Sequence, residues 1–252
     1  MAARPAPAIG KARQAARGLW AAVWPERCPL CRALLEPGAP PSLCRSCMAL
    51  IKPLAAPLCA LCGRELSLAS LPPGQVCGYC NLGPPAYDAA RSFAVYDGLL
   101  AQAIRAFKFH SDRSLLPALQ ELMLKADEAW LHAHDVDAVI PVPLHQARLR
   151  ARGFNQAADL ARPVARHRAV PLLGGALVRV RDTEPQYGLS IDQRRGNVKG
   201  AFSVDRPGRI QGKSIMLVDD IMTTGITLNE SAKALKKAGA QKVVVLTLAR
   251  TR

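Results

Sequence analysis

Three nearly continuous apolar runs punctuate the second half of the chain: 136–142, Ile215–Val218 and Lys242–Leu248 (KVVVLTL). Strands buried on both faces of a parallel sheet carry this pattern. Arg91–Tyr96 alternates instead, as a strand with one less apolar face would. Between these runs the apolar period lengthens to helical spacing over Leu99–Phe109, from Asn155 to about Arg168, and from Thr227 to Ala238, where Gly239 supplies a stop. Strands alternating with helices predict an α/β fold, a mostly parallel sheet flanked by helices, over residues 88–252. Before residue 88 the rhythm fades. NLGPPAY (81–87) reads as a Pro/Gly hinge. Residues 26–82 are poor in large aliphatic side chains and form a separate small domain. Residues 1–25 hold no acid and carry Arg4, Lys11, Arg13 and Arg17. They read as a basic amphipathic helix or tail, with Ile9, Leu19, Trp20 and Val23 facing the next domain. A transit peptide fits less well, because Pro25 leads straight into a cysteine motif. No run of 18 apolar residues is present, so no membrane-spanning helix is expected.

The eight cysteines change the picture of the small domain. They form four CxxC pairs, Cys28/Cys31, Cys44/Cys47, Cys59/Cys62 and Cys77/Cys80, separated by 12, 11 and 14 residues. Two thiolates on a tight knuckle suit one tetrahedral zinc ion, and eight make two closed four-cysteine sites with no position left for water. Both ions are therefore expected to be structural. With no secretory signal in view, repeated CxxC pairs point to a reducing compartment, hence the cytoplasm, rather than to disulfides. Spacing leaves the pairing open between tandem ribbons and a cross-braced arrangement. A domain so short of apolar side chains needs such ions to fold.

Charge adds a class of partner. The net charge is +15, and 24 of the 34 basic residues are Arg, whose planar fork suits phosphate. Polyanions become expected ligands. The stretch KSIMLVDDIMTTGITLNE (213–230) gives that expectation a site. Its strand ends in Asp219 and Asp220, and a short hydroxyl-rich loop, Thr223, Thr224, Gly225, Ile226 and Thr227, opens the next helix. Free N–H groups and the positive end of the helix dipole favour a phosphate there, and Gly225 lets the backbone approach. Carboxylates would repel that phosphate but can accept from sugar hydroxyls. The pair thus predicts a ribose whose 5′-phosphate sits in the loop. A second strand end runs into PVPLHQARLRARGFNQ (141–156), a donor-rich basic turn suited to pyrophosphate. From His145 to Arg168, six Arg face one acid, Asp159. Arg179–Phe202 is polar, glycine-spaced and too long for an ordinary connector, so a lid is expected, with Gln186, Arg194, Arg195, Asn197 and Lys199 as its working side chains. In FKFHSDR (107–113), aromatics flanking a base could stack on single-stranded nucleic acid. The pattern alone favours a core position for Phe107 or Phe109, with Lys108 solvated.

VDDIMTTGIT resembles the phosphoribosyl-pyrophosphate (PRPP) motif of type I phosphoribosyltransferases. The wider order of four CxxC knuckles, IRAFKF, PVPLHQARLRARGFNQ, TEPQYGLSIDQRRGNVKGAF and VDDIMTTGIT is similar to the ComF family of bacterial competence proteins, and covers nearly the whole chain. The resemblance implies a type I phosphoribosyltransferase fold behind a double zinc ribbon, and a cytoplasmic role in natural transformation, handling incoming single-stranded DNA. It implies that Asp219 and Asp220 hold ribose, that Thr223–Thr227 hold the 5′-phosphate, and that Pro143, Leu144 and His145 form the pyrophosphate loop. It also implies that Arg148, Arg152, Asn155, Gln156 and the 184–200 segment close over the site, with Lys108 in the family's short basic motif. Mg²⁺ would accompany PRPP, and a DNA-uptake or helicase protein could engage the zinc head. The alternative is an active phosphoribosyltransferase with an unidentified acceptor. Purine-salvage members place an acid where this chain has Thr223, which argues against a purine acceptor.

Overall fold

The computed structural model describes residues 26–36, 43–67, 74–130, 134–183 and 191–252. The basic N-terminal segment and Gln186 lie outside them. Among the described residues, four strands make a parallel sheet in the order β1 (Ala89–Val95), β6 (Lys242–Arg250), β5 (Ser214–Met222), β2 (Ala138–Pro141). Residues 171–173 extend the outer edge of β2, where Val139 N–H donates to Pro171 and Leu173 N–H to Val139.

Strand alternation sorts the core into two layers. Val139, Met216, Val218, Val244, Leu246 and Leu248 face one, whereas Ala138, Ile140, Ile215, Leu217, Val243 and Val245 face the other. The first layer is closed by α3 (Gly98–Phe109), α4 (Leu116–Glu128) and α6 (Gln156–His167). Helix α3 starts where the Asp97 carboxylate accepts the Gly98 N–H at 2.7 Å, and buries Leu100, Ile104 and Phe107. Helix α6 contains Pro163, which cannot donate to the Asp159 carbonyl; the Gln120 side-chain amide donates to it instead at 2.8 Å. The second layer is closed by α8 (Ile226–Lys237), and Gly239 after it has φ +92, as its position as a stop signal requires.

Three expectations are refined. Strand β5 does not end at the carboxylates but continues to Met222, because Met222 still pairs with Arg250 of β6. The basic turn is a helix, α5 (Gln146–Arg152), so Arg148 and Arg152 share a face four residues apart and Arg150 points elsewhere. The connector expected as a lid springs from an antiparallel hairpin, β3 (Leu177–Arg179) with β4 (Phe202–Val204), and carries helix α7 (Ile191–Val198), which lies against α8.

The cysteine head clasps the free edge of β1. Leu54 N–H donates to Phe93, Val95 N–H to Lys52 and Ala90 N–H to Leu61. A Cβ on Gly63, at φ +68, would lie 2.5 Å from the Ala90 carbonyl oxygen, so only glycine lets the third knuckle seat here. Two short helices, α1 (Arg45–Ala49) and α2 (Gly78–Leu82), carry the later cysteines of each ribbon. Cys28 and Cys47 join the core layer of α3, whereas Cys59, Cys62, Cys77 and Cys80 join that of α8. The head therefore straddles the sheet edge, one quartet per layer.

Candidate ribosyl phosphate site

The cysteines converge as two quartets, Cys28/Cys31/Cys44/Cys47 and Cys59/Cys62/Cys77/Cys80, with all ligand atoms of a quartet within 4.8 Å of one another. Tandem pairing is thus the arrangement found. Zinc bound tetrahedrally by thiolates at about 2.3 Å requires sulfurs about 3.8 Å apart; Cys31 Sγ and Cys44 Sγ are 3.5 Å apart, and Cys62 Sγ and Cys77 Sγ 3.7 Å. The donor sets fit two structural zinc ions. One thiol in each quartet is held ready to ionise. Burial pushes Cys28 up, but N–H groups of Cys31, Cys44 and Leu30 more than reverse this and bring it to about 6. Cys59 falls to about 7 for the same reason, through Cys62, Cys77 and Leu61.

At the carboxyl ends of β5 and β2 the second set of predicted residues assembles. Asp220 is 2 % exposed and forms an ion pair with Lys108 of α3, Nζ to Oδ2 at 2.5 Å. Its other oxygen accepts the Ile221 N–H at 2.9 Å, and Asp219 accepts the Asp220 N–H at 2.9 Å. Asp219 is held well above the usual carboxylate range, first by burial, then by the Asp220 charge, with Lys108 opposing. Gly225, at φ +76, begins α8 without a side-chain cap, as the sequence anticipates. Asn229 N–H makes the first helical bond, to the Gly225 carbonyl, at 2.8 Å. Thr223 and Thr227 are partly buried around this turn and Thr224 is exposed.

From β2 comes the loop of buried Pro143 with half-buried Leu144 and His145. His145 caps α5 by accepting the Ala147 N–H, and its Nδ1 lies 3.3 Å from Asp182 Oδ1. Arg148 donates to the Thr183 carbonyl and Arg152 to Gln156 Oε1 at 2.6 Å. Burial lowers the Arg152 pKa, while the charges of Asp220 and Asp219 support it. Asn155 is committed to structure. It donates to the Val142 carbonyl at 3.1 Å and caps α6 by accepting from Ala157 and Ala158. Gln156, also buried, orients Arg152 rather than facing a ligand. Lys199 is exposed at the end of α7, and Arg194 and Arg195 lie within that helix.

Sequence reasoning missed Arg179. It is 9 % exposed, donates to the Thr183 hydroxyl, lies over Phe202 at 5.5 Å and feels the charges of Arg148, Asp219 and Asp182. Thr183 thus ties the hairpin to α5 through two arginines. The available signal was a lone Arg inside a three-residue strand, too short to assign a face. Phe107 is core as the pattern indicates, but Phe109 is 70 % exposed beside Arg152, whose guanidinium lies 5.6 Å from its ring. Helix α3 ends at Phe109, so its last residue turns away from the buried face.

One expected outcome follows from Asp219. Its folded pKa is raised, so the native state binds more protons than the unfolded state from about pH 4, the ordinary aspartate value, upward. Stability from this group therefore falls as pH rises towards the folded pKa. Asp219→Asn should be more stable than the parent at pH 8 and close to it at pH 4. Urea unfolding across that range checks this, and identical pH slopes for the two proteins would refute it.

The parallel sheet, the carboxylate pair and the glycine-led turn that opens α8 define a phosphoribosyltransferase-type domain, joined to a double zinc ribbon. Family models agree: that of the phosphoribosyl transferase domain matches residues 152–252, and that of the double zinc ribbon domain residues 19–81. The chain belongs to the ComF family. Competence protein F of Haemophilus influenzae is 36% identical over 198 residues, 77% of this chain and 85% of that one. DNA utilization protein YhgH of Escherichia coli K12 is 35% identical over 200 residues, 77% and 84% of the two chains. Competence protein ComFC of Bacillus subtilis is 27% identical over 205 residues, 77% and 78%. Among the described residues no helix is long and apolar enough to cross a membrane.

Proposed function

We propose that this protein binds a phosphoribosyl ligand of the PRPP type at the carboxyl edge of β5 and β2, and that it uses the same basic face to handle single-stranded DNA in the cytoplasm during DNA uptake. The observation that carries the reading is the juxtaposition of a carboxylate pair with a phosphate-type turn on one strand–helix unit: Asp219 and Asp220 on β5, then Gly225 opening α8. Carboxylates at that distance along the chain match sugar hydroxyls, and the turn matches the 5′-phosphate. Arg152 and Arg179 are close enough to feel the charges of Asp219 and Arg148, a cluster that supports a pyrophosphate beside the ribose. Mg²⁺ bound with that pyrophosphate would be held by its phosphate oxygens and one carboxylate of the pair, and would neutralise charge there. The relatives named for competence and DNA utilization support the physiological setting.

The exposed Phe109 ring beside Arg152 supports the DNA reading, since a base can stack on the ring while guanidinium groups meet the backbone. So does the charge of residues 81–252, 25 bases against 16 acids. The test is a titration with fluorescent single-stranded DNA over a salt series, with and without PRPP and Mg²⁺. Salt-sensitive binding that PRPP displaces is expected. Replacing Arg148, Arg150 and Arg152 together with Gln should reduce the slope of log K against log salt by about 1.4, at roughly 0.7 per phosphate contact for the two that share a face. Phe109→Ala should weaken binding with the slope unchanged. An unchanged slope in the triple variant would remove DNA from this face. Release of pyrophosphate with a defined acceptor would add phosphoribosyl transfer, the acceptor lying outside the purine-salvage pattern because position 223 is Thr.

A further inference from the structure

The two zinc sites are chemically alike but differ in what they touch. The first belongs to the α3 layer, away from the phosphate turn. The second shares its apolar layer with Tyr87, Met222 and Leu228. Tyr87 is 4 % exposed. It lies in the same buried layer as Cys59, Cys62, Cys77 and Cys80. Its hydroxyl reaches the phosphate turn: a Cβ built on Gly225 would stand 3.4 Å from Tyr87 Oη and 2.8 Å from Met222 Cε. One residue earlier, Ala86 N–H donates to Asn229 Oδ1 at 2.7 Å, on the first turn of α8. On the far side, Arg250 donates to the Cys62 carbonyl, and its strand neighbour Met222 accepts the Thr251 N–H at 3.1 Å. The chain leaving Cys80 therefore presses on both the glycine and the first turn that would receive the phosphate.

We infer that the second cysteine quartet positions the phosphate turn, through Tyr87 and the Ala86–Asn229 bond, so that metal at that quartet and ligand at the turn stabilise each other while the first quartet stays independent. The inference rests on the ribosyl-phosphate reading above and gives the zinc head a role at that site. A rigid zinc knuckle fixes where Cys80 leaves, hence where Ala86 and Tyr87 arrive. Tyr87 then bounds the space at Gly225, and Asn229 ties the helix start to the same segment. Coupling of two equilibria is reciprocal, so what zinc does for the turn, ligand must do for zinc.

The experiment uses the zinc-loaded full chain. It is pulsed with N-ethylmaleimide, and alkylation of each cysteine is followed by peptide mass spectrometry, with and without PRPP and Mg²⁺. Ligand binding is measured separately by calorimetry. The expected result is that saturating ligand slows alkylation of Cys59, Cys62, Cys77 and Cys80 by about tenfold, within the usual range of allosteric coupling, and leaves Cys28, Cys31, Cys44 and Cys47 unchanged. In Asn229→Ala and Tyr87→Phe, ligand should still bind while the selective slowing shrinks towards none. Ligand binding to the parent protein without selective slowing, or with equal slowing of both quartets, overturns the coupling alone. No binding of PRPP to the parent protein overturns the phosphate reading and the coupling with it.

Discussion

Replacing Asp220 with alanine should cost about 3–5 kcal/mol of stability, the usual penalty for stranding one partner of a buried ion pair. Lys108 is the partner left behind, 16 % exposed and 2.5 Å from the lost carboxylate. At roughly 2–4 °C per kcal/mol for a domain of this size, the melting temperature should fall by about 10 °C. Binding of PRPP should fall by at least about a hundredfold, since charge-assisted hydrogen bonds contribute about 1.5–3 kcal/mol each and the carboxylate can accept from two hydroxyls. The double variant Asp220→Ala with Lys108→Met separates the two effects. It removes both charges, so most of the stability should return while binding stays lost. Calorimetric titration and thermal melts on the three proteins check this. Recovery of binding in the double variant would show that Asp220 acts on Lys108 rather than on ribose.

Removal of both zinc ions is expected to have a still larger effect. Apart from cysteine, the buried apolar side chains among the described residues of the head are Leu43 and Ile51. Burying two such side chains contributes about 3–6 kcal/mol, far below the cost of ordering a segment of this length at about 1–2 kcal/mol per residue. Structural zinc contributes about 10–16 kcal/mol per site in small peptides near neutral pH. Stripped of metal, the head should unfold and release β1. Amide hydrogen exchange reads this directly, because Ala90 and Val95 N–H groups donate to head carbonyls at Leu61 and Lys52. Both amides should lose protection on zinc removal, while Val218 and Leu246 at the sheet centre keep theirs longer. Full protection of Ala90 and Val95 in metal-free protein would show that the head folds on its own packing.

The elements that could be read from sequence are those whose burial is uniform. Residues 243–249 are buried on both faces, so the strand appears as a nearly continuous apolar run. Asp219 and Asp220 stood out because two acids at the end of such a run need a reason. Helix α5 was hidden because its seven residues bury nothing, leaving no period to detect. Strands β3 and β4 are three residues each, too short for alternation to register. Asn155 looked like a ligand residue because a cap and a ligand contact use the same polar atoms, and only the distance to Val142 tells them apart. The pairing of the cysteines was open because spacing along the chain fixes a knuckle but not which knuckles meet.

The clasp on β1 also bears on the order in which the chain is made. Strand β1 is complete by residue 95, yet its sheet partner β6 begins at residue 242. Without the head, both edges of the strand would stay unpaired while most of the protein is made, the situation in which nascent chains aggregate; with it, only the edge reserved for β6 does. The head, translated first, already offers β1 the carbonyls of Lys52 and Leu61 and the amide of Leu54. Zinc supply at the ribosome should therefore set the yield of soluble protein even though the metal sits outside the ribosyl site. Cell-free translation with and without added zinc would measure that yield, and equal solubility in both would remove the head from this role.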